Sequence, residues 1–182
     1  MRIVGGIWAQ QNLVSPGQRV RPTHEEVRDA WLTHLSPRLV GARVLDLFAG
    51  SGALGIEALS RGAASSDFVD DSPDALHALK ANVAKLKLRR LPRGELPSEK
   101  SKAARIFKRD AIPFTERLGT DAYDIAFADP PYGSRKLDRI LKHWQAVRFA
   151  QVLAVEHPPD YAVPPGVKQL AFESSMVTFY GR

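Results

Sequence analysis

The run Asp129-Pro130-Pro131-Tyr132 closes an apolar segment, Tyr123-Asp-Ile-Ala-Phe-Ala128. Neither proline can donate a ladder hydrogen bond. A strand ending there therefore leaves an acid, two carbonyls and an aromatic ring at its carboxyl edge. That edge is where open α/β sheets hold their ligands. The set suits chemistry on a flat exocyclic amine: the carboxylate accepts one N–H, a carbonyl accepts the other, and the ring stacks on the base. A second chemical stretch is Gly50-Ser51-Gly52-Ala-Leu-Gly55, which follows the apolar run from Gly41 to Ala49. Its glycines let the chain turn sharply and let a ligand approach bare backbone at a helix N-terminus. The spacing fits the dinucleotide fingerprint, and Asp70 stands twenty residues past Gly50, where a ribose-binding acid belongs. The glycines alone do not separate NAD from another adenosine cofactor.

These residues need elements to position them. Gly41 to Ala49 reads as a buried first strand, and Ile56 to Arg61 as a helix ended by Gly62. Ser66 to Asp70 is a second strand. Asp74 to Leu88 is a helix with Leu76, Leu79, Val83 and Leu86 on one face. The segment from Arg89 to Ala104 is polar, holds Pro92, Gly94 and Pro97, and reads as a flexible insertion before a third strand, Ala104 to Arg109. The central strand at 123–128 leads to an amphipathic helix from Ser134 to Val147, with Leu137, Ile140, Leu141 and Trp144 inward. Gln151 to Glu156 is a fifth strand, and Val167–Phe172 with Met176–Tyr180 closes the chain as an antiparallel pair. Alternating strands and helices predict a doubly wound α/β sheet.

Upstream, residues 1–23 read as an extension, with 24–182 as the main domain. Arg2 to Trp8 and Asn12 to Val14 pair there as a short hairpin. Thr23 is the expected N-cap of the next helix, with Glu26 completing a capping box. That helix turns Val27, Ala30, Trp31, Leu32 and Leu35 inward and stops near Pro37. Arg2, Arg19, Arg21 and Arg28 are the candidates for phosphate contact.

Composition narrows the class. With 182 residues and 44% hydrophobic content, the chain can bury one good core. It has no cysteine, which excludes disulfides and thiolate metal sites. His24, His34, His77, His143 and His157 lack metal-ligand spacing, so no metal is expected. The opening Met1-Arg-Ile-Val-Gly-Gly6 has no apolar signal core, and nothing approaches the ~20 apolar residues of a membrane span. A cytoplasmic, monomeric protein without a membrane partner is the expectation. The net charge of +6 and pI near 9.8 point to a polyanion. Residues 80–109 alone carry eleven Lys/Arg against two Glu, so the remainder of the chain is net negative.

Taken together, the motifs resemble the class I S-adenosylmethionine (SAM) methyltransferases, and within them the RsmD type that methylates N2 of a guanine in small-subunit (16S) ribosomal RNA. Arg2-Ile-Val-Gly-Gly6 is similar to that family's opening, and Arg21-Pro-Thr-His-Glu-Glu-Val-Arg28 to its Arg-Pro-Thr helix start. Leu45 through Gly62 is similar to its cofactor loop, and Asp129-Pro-Pro-Tyr132 to the amine-methylating motif. Departures are Ala9-Gln-Gln11 after Trp8 where arginines are usual, Asp70 where Glu is typical, and the basic insertion at 89–105.

The resemblance implies a mostly parallel, seven-stranded Rossmann-like sheet with an antiparallel C-terminal strand and an N-terminal hairpin extension. It implies SAM as cofactor, with Thr23, Asp46, Phe48, Gly50, Ser51 and Gly52 around the methionine part. Asp70 then takes the ribose, and Asp110 with Ala111 the adenine. Asp129, Pro130, Pro131 and Tyr132 are the implied catalytic set. The implied partner is ribosomal RNA or an assembling small subunit. Two alternatives share parts of the pattern: a DNA amino-methyltransferase acting on N6 of adenine or N4 of cytosine, and a nicotinamide oxidoreductase. The second leaves Asp129-Pro-Pro-Tyr132 without a purpose.

Overall fold

The computed structural model describes residues 1–17, 24–91 and 102–181. Its strands are Arg43–Leu47 (β1), Ser65–Asp70 (β2), Arg89–Arg90 (β3), Ala103–Lys108 (β4), Tyr123–Ala128 (β5), Ala150–His157 (β6), Lys168–Ala171 (β7) and Met176–Gly181 (β8). The helices are Glu25–His34 (α1), Ser36–Leu39 (α2), Ala53–Ser60 (α3), Pro73–Lys85 (α4), Ala111–Thr115 (α5) and Lys136–Val147 (α6). The strands form one sheet in the order β3-β4-β2-β1-β5-β6-β8-β7. Strands β1 to β6 pair in parallel, and β8 inserts antiparallel between β6 and β7. The sheet thus has eight strands where seven were expected. The addition is the two-residue edge strand β3, too short to show alternation; it begins the segment read as an insertion, of which 92–101 lie outside the described residues.

The winding reverses between β1 and β5, which are neighbours in the sheet but far apart in sequence. Such a switch point leaves a crevice outside the carboxyl ends of the strands. Alternation fixes which side chains fill each face. Ile125, Phe127, Val44 and Ala154 point to one layer with Trp31 of α1, Ile56 of α3 and Leu79 of α4. Ala126, Ala128, Leu45 and Val155 point to the other with Leu137, Ile140, Leu141 and Trp144 of α6. All eight residues of α3 are buried, so the helix is enclosed on every side.

Helix α3 nevertheless contains Glu57, which is wholly buried. Its carboxylate accepts the backbone N–H groups of Val4 at 2.9 Å and Gly5 at 2.6 Å. Arg28 Nε reaches Oε2 at 3.4 Å, and Arg61 Nη2 reaches Oε1 at 3.0 Å. A charge out of water persists only when paired and hydrogen-bonded in this way. The N-terminal segment is thereby bound to the main domain, with Ile3 and Leu13 inside the same core as α1 and α3. The expected hairpin is present as the antiparallel bridge Arg2↔Asn12, with Leu13 N–H donating to the Met1 carbonyl at 2.8 Å and Ile3 N–H to the Gln11 carbonyl at 2.9 Å. A 3-10 turn at Gly6–Trp8 occupies its bend.

Two expectations for α1 change. The helix begins after His24, with no side-chain cap; Thr23, expected as the cap, lies outside the described residues. Arg28, expected to touch phosphate, is fully buried on Glu57 and donates to the Arg2 carbonyl. It is a structural residue. We predict that Arg28→Ala lowers unfolding free energy by about 3–5 kcal/mol in urea titrations, because it strands a buried carboxylate. Its effect on RNA affinity, measured on the folded fraction, should be small.

Candidate active site

Two loops meet at the crevice. The first leaves β1 through Phe48 and Gly50, both at positive φ (59° and 56°), and enters α3 at Gly52. A Cβ on Gly50 would point into open space, so bare backbone faces the crevice. Gly55 has the opposite reason: a Cβ there would meet the Phe68 ring and Ser66 Oγ at 2.4 Å, so α3 can lie close on β2 only without one. Asp70, at the end of β2, accepts from Gly50 N–H through Oδ2 and from Ser72 N–H through Oδ1, each at 2.8 Å. Two backbone donors thus hold the carboxylate at the mouth. Each oxygen keeps a lone pair for another donor.

The second loop leaves β5. Parallel pairing aligns Leu47 with Ala128, so the chain after β5 emerges beside the chain after β1. One cavity of about 400 Å³ is lined by both. Asp46, Phe48, Gly50, Ser51 and Asp70 come from the β1–β2 side, and Asp129, Pro130, Pro131 and Tyr132 from the other. The structure therefore brings the two stretches picked out by their chemistry into one site. Tyr132 is 40% exposed, with its hydroxyl 3.4 Å from Glu156 Oε1.

The remaining candidates divide. Ala111 lines the cavity. Asp110 beside it is the N-cap of α5, accepting from Ile112 N–H at 2.8 Å, with Lys136 Nζ 3.6 Å from its other oxygen. Gly52 is the N-cap residue of α3. Arg2 is half-exposed and paired with Glu25 at 3.2 Å. Arg19, Arg21 and Thr23 lie outside the described residues. The reading assigned no role to Glu156, Lys136, Arg109, Met1 or Pro16, all of which line the cavity. Glu156 was legible as the last residue of a strand next to β5; Met1 and Pro16 had no local signal.

The cavity gathers Asp46, Asp70, Asp71, Asp129 and Glu156 against Lys136 and Arg109, an acidic site in a basic chain. Asp46 is the most constrained, 1% exposed, with Oδ2 accepting from Gly55 N–H at 2.9 Å. Burial pushes its carboxyl well above the ordinary range; the Gly55 N–H opposes this, and Asp129 and Asp70 add to the rise. Among the described residues, no group of His, Asp or Glu could hold a metal ion, and no helix is long and apolar enough to cross a membrane.

The chain is similar to known proteins over most of its length. The family described as "Conserved hypothetical protein 95" matches residues 1–174. The Bacillus subtilis (strain 168) protein named "Putative rRNA methyltransferase YlbH" is 32% identical over 177 residues, 93% of this chain and 89% of that one. Ribosomal RNA small subunit methyltransferase D of Escherichia coli (strain K12) is 38% identical over 135 residues, covering 72% of this chain and 60% of its own length. The solved structure "Putative methyltransferase yhhF from Escherichia coli" superposes with a TM-score of 0.79 at 30% identity, covering 100% of this chain and 97% of that one.

The Asp46 environment carries a pH signature. Its folded-state pKa lies above the unfolded one, so its stabilising contribution is present below about pH 4 and lost as pH rises through the folded value. Asp46→Asn keeps an acceptor for Gly55 N–H without a buried charge. In thermal melts without cofactor, this variant should melt above the wild type at pH 7. The gap should close below about pH 4.

Proposed function

The chain belongs to the conserved hypothetical protein 95 family, the RsmD-type rRNA methyltransferases, and from that membership we propose that it moves the methyl group of SAM to the exocyclic N2 of a guanine in 16S ribosomal RNA. The observation that carries this reading is the single cavity shared by the glycine turn and Asp129-Pro-Pro-Tyr132. A doubly wound sheet with only the first would suit many adenosine cofactors. Only the second gives an amine its acceptors.

The residues present fit SAM. Open space at the Gly50 Cβ position admits a ligand against backbone, and the acidic lining suits a cation. Asp70, already fixed by two N–H groups, has lone pairs for ribose hydroxyls, and Ala111 with adjoining Asp110 marks the adenine end. Asp46, Phe48 and Ser51 border the methionine end. When bound, SAM supplies a methyl group on a cationic leaving group. The protein's work is then positioning and electrostatics.

A guanine amine is a weak nucleophile because its lone pair is delocalised into the ring. Asp129 accepting one N2–H, and the Pro130 carbonyl the other, localises that pair toward the methyl group. The Asp129 carboxylate also stabilises positive charge as it develops on nitrogen. Tyr132 offers its ring for stacking, a contact worth about 1–3 kcal/mol in single-strand binders. A loop of RNA suits this geometry because its bases can be turned outward. Arg2, Arg109 and Lys136, with Arg19 and Arg21, are the cations proposed to meet its phosphates. The reading implies a cytoplasmic protein working on naked rRNA or an assembling small subunit.

Isotope-labelled SAM, supplied with small subunits, naked rRNA and DNA, tests the assignment. N2-methylguanosine from the RNA substrates is the expected product by mass spectrometry; methyladenine or methylcytosine in DNA would overturn it. Asp129→Ala should lower kcat by at least about 10²-fold while calorimetry still detects SAM binding. Asp70→Ala should weaken SAM affinity about 10–100-fold, from hydrogen bonds of roughly 1.5–3 kcal/mol each. The double change Arg89→Glu and Arg90→Glu, on the exposed edge strand, should lower RNA affinity and flatten its salt dependence.

A further inference from the structure

Glu156 is the penultimate residue of β6, and Asp129 follows the end of β5. The two strands are parallel neighbours, with Phe127 paired to Ala154 and Ala128 to Val155. One more step in that register sets Asp129 opposite Glu156. Face follows from alternation: Phe127 and Ala154 share one layer, so the residues two positions on share that side at the mouth. Glu156 is 5% exposed and still borders the cavity with Asp129 and Tyr132. The Tyr132 hydroxyl, at 3.4 Å from Oε1, ties the carboxylate to the ring proposed to stack on the base.

Both carboxylates border the same cavity, so one ligand there can reach both. Adjacent strands stand about 4.8 Å apart, so two carboxylates on neighbouring strands can address adjacent donors on one flat base. Guanine carries such donors on its Watson–Crick edge, the N2 amine and the ring N1–H. An ionised carboxylate is acceptor-only. Adenine, 2-aminopurine and 2,6-diaminopurine instead present a lone pair at N1, which a carboxylate repels. Resting on the guanine-N2 reading above, we infer that Glu156 accepts the N1–H of the target guanine and is the residue that selects guanine over purines with an acceptor at N1. Asp129 and the Pro130 carbonyl position the amine that reacts. Glu156 identifies the ring that bears it.

2,6-Diaminopurine separates these roles, because it keeps the 2-amino group and lacks N1–H. The wild-type reaction on small-subunit RNA first gives the modified position. RNA carrying 2,6-diaminopurine at that position is then prepared by ligation and compared with the guanine RNA for wild type and Glu156→Gln. The Gln carbonyl can still accept from Tyr132, and its amide N–H can donate to an N1 lone pair. Wild type should prefer guanine, and Glu156→Gln should lower the guanine-to-diaminopurine ratio of kcat/KM by roughly 10–100-fold. Unchanged melting temperature and SAM affinity show that the variant is folded. An unchanged ratio overturns the inference alone, and so does loss of both activities in the folded variant, since a reader of N1 is not required for transfer to diaminopurine. A wild-type product other than N2-methylguanosine overturns the guanine reading and this inference with it.

Discussion

The site depends on one constraint, the common register of β1, β5 and β6 at their carboxyl ends. Asp46 pairs with Phe127, and Phe127 with Ala154, so these three residues lie in one row across the sheet. Strand geometry then carries Asp129 and Glu156 to the same side two residues later. A one-residue slip of β5 would send Asp129 to the opposite face, away from the glycine turn. That register is held by burial on both faces: Ile125 and Phe127 in one layer, Ala126 and Ala128 in the other. The apolar run before Asp129 thus fixes where the acid stands.

The N-terminal segment belongs to the same construction. Glu57 holds Val4 and Gly5, while Asn82 of α4 holds Val14 through both its amide groups, at 2.7 Å and 3.0 Å. The second donor bond of that amide goes to the Ser51 carbonyl in the loop after β1, at 3.0 Å. One side chain therefore couples the N-terminal segment to the glycine turn. This is how Met1 and Pro16 come to wall the cavity. Ile3 and Leu13 of that segment share the core with α1 and α3.

What was legible in the sequence follows the range of the interactions. β5 and the inward face of α6 came out residue by residue, because period 2 and period 3.6 are local. The acid-proline-proline-tyrosine and glycine stretches were legible for the same reason. Arg28 was misread although its spacing was informative: with Trp31, Leu32 and Leu35 it lies on the buried stripe at i, i+3, i+4 and i+7. Its charge argued for the surface, and only Glu57, in an otherwise apolar helix 29 residues away, reverses that. The two signals were readable as a pair and misleading singly. Strand β3 and helix α5 were missed because two and five residues show no period.

An acidic cavity in a basic chain sets opposing demands, which a cationic cofactor would reconcile under the proposed function. Burial first, and then the nearby Asp129 and Asp70, disfavour Asp46 as an anion. A cation in the cavity favours the ionised form. Under the proposed function, cofactor binding and deprotonation of Asp46 must then favour one another, since coupling is reciprocal. The same field acts on the substrate in a different way. Under the proposed function the acidic lining repels phosphates, so the backbone stays outside while a neutral base can enter. Under that same function, a base that offers an amine beside a ring N–H meets acceptors at Asp129 and Glu156; a base with a lone pair at that ring position meets repulsion. Under that reading the cavity's carboxylates serve the cofactor and the amine, while Arg109 and Lys136 on the same lining serve the phosphates.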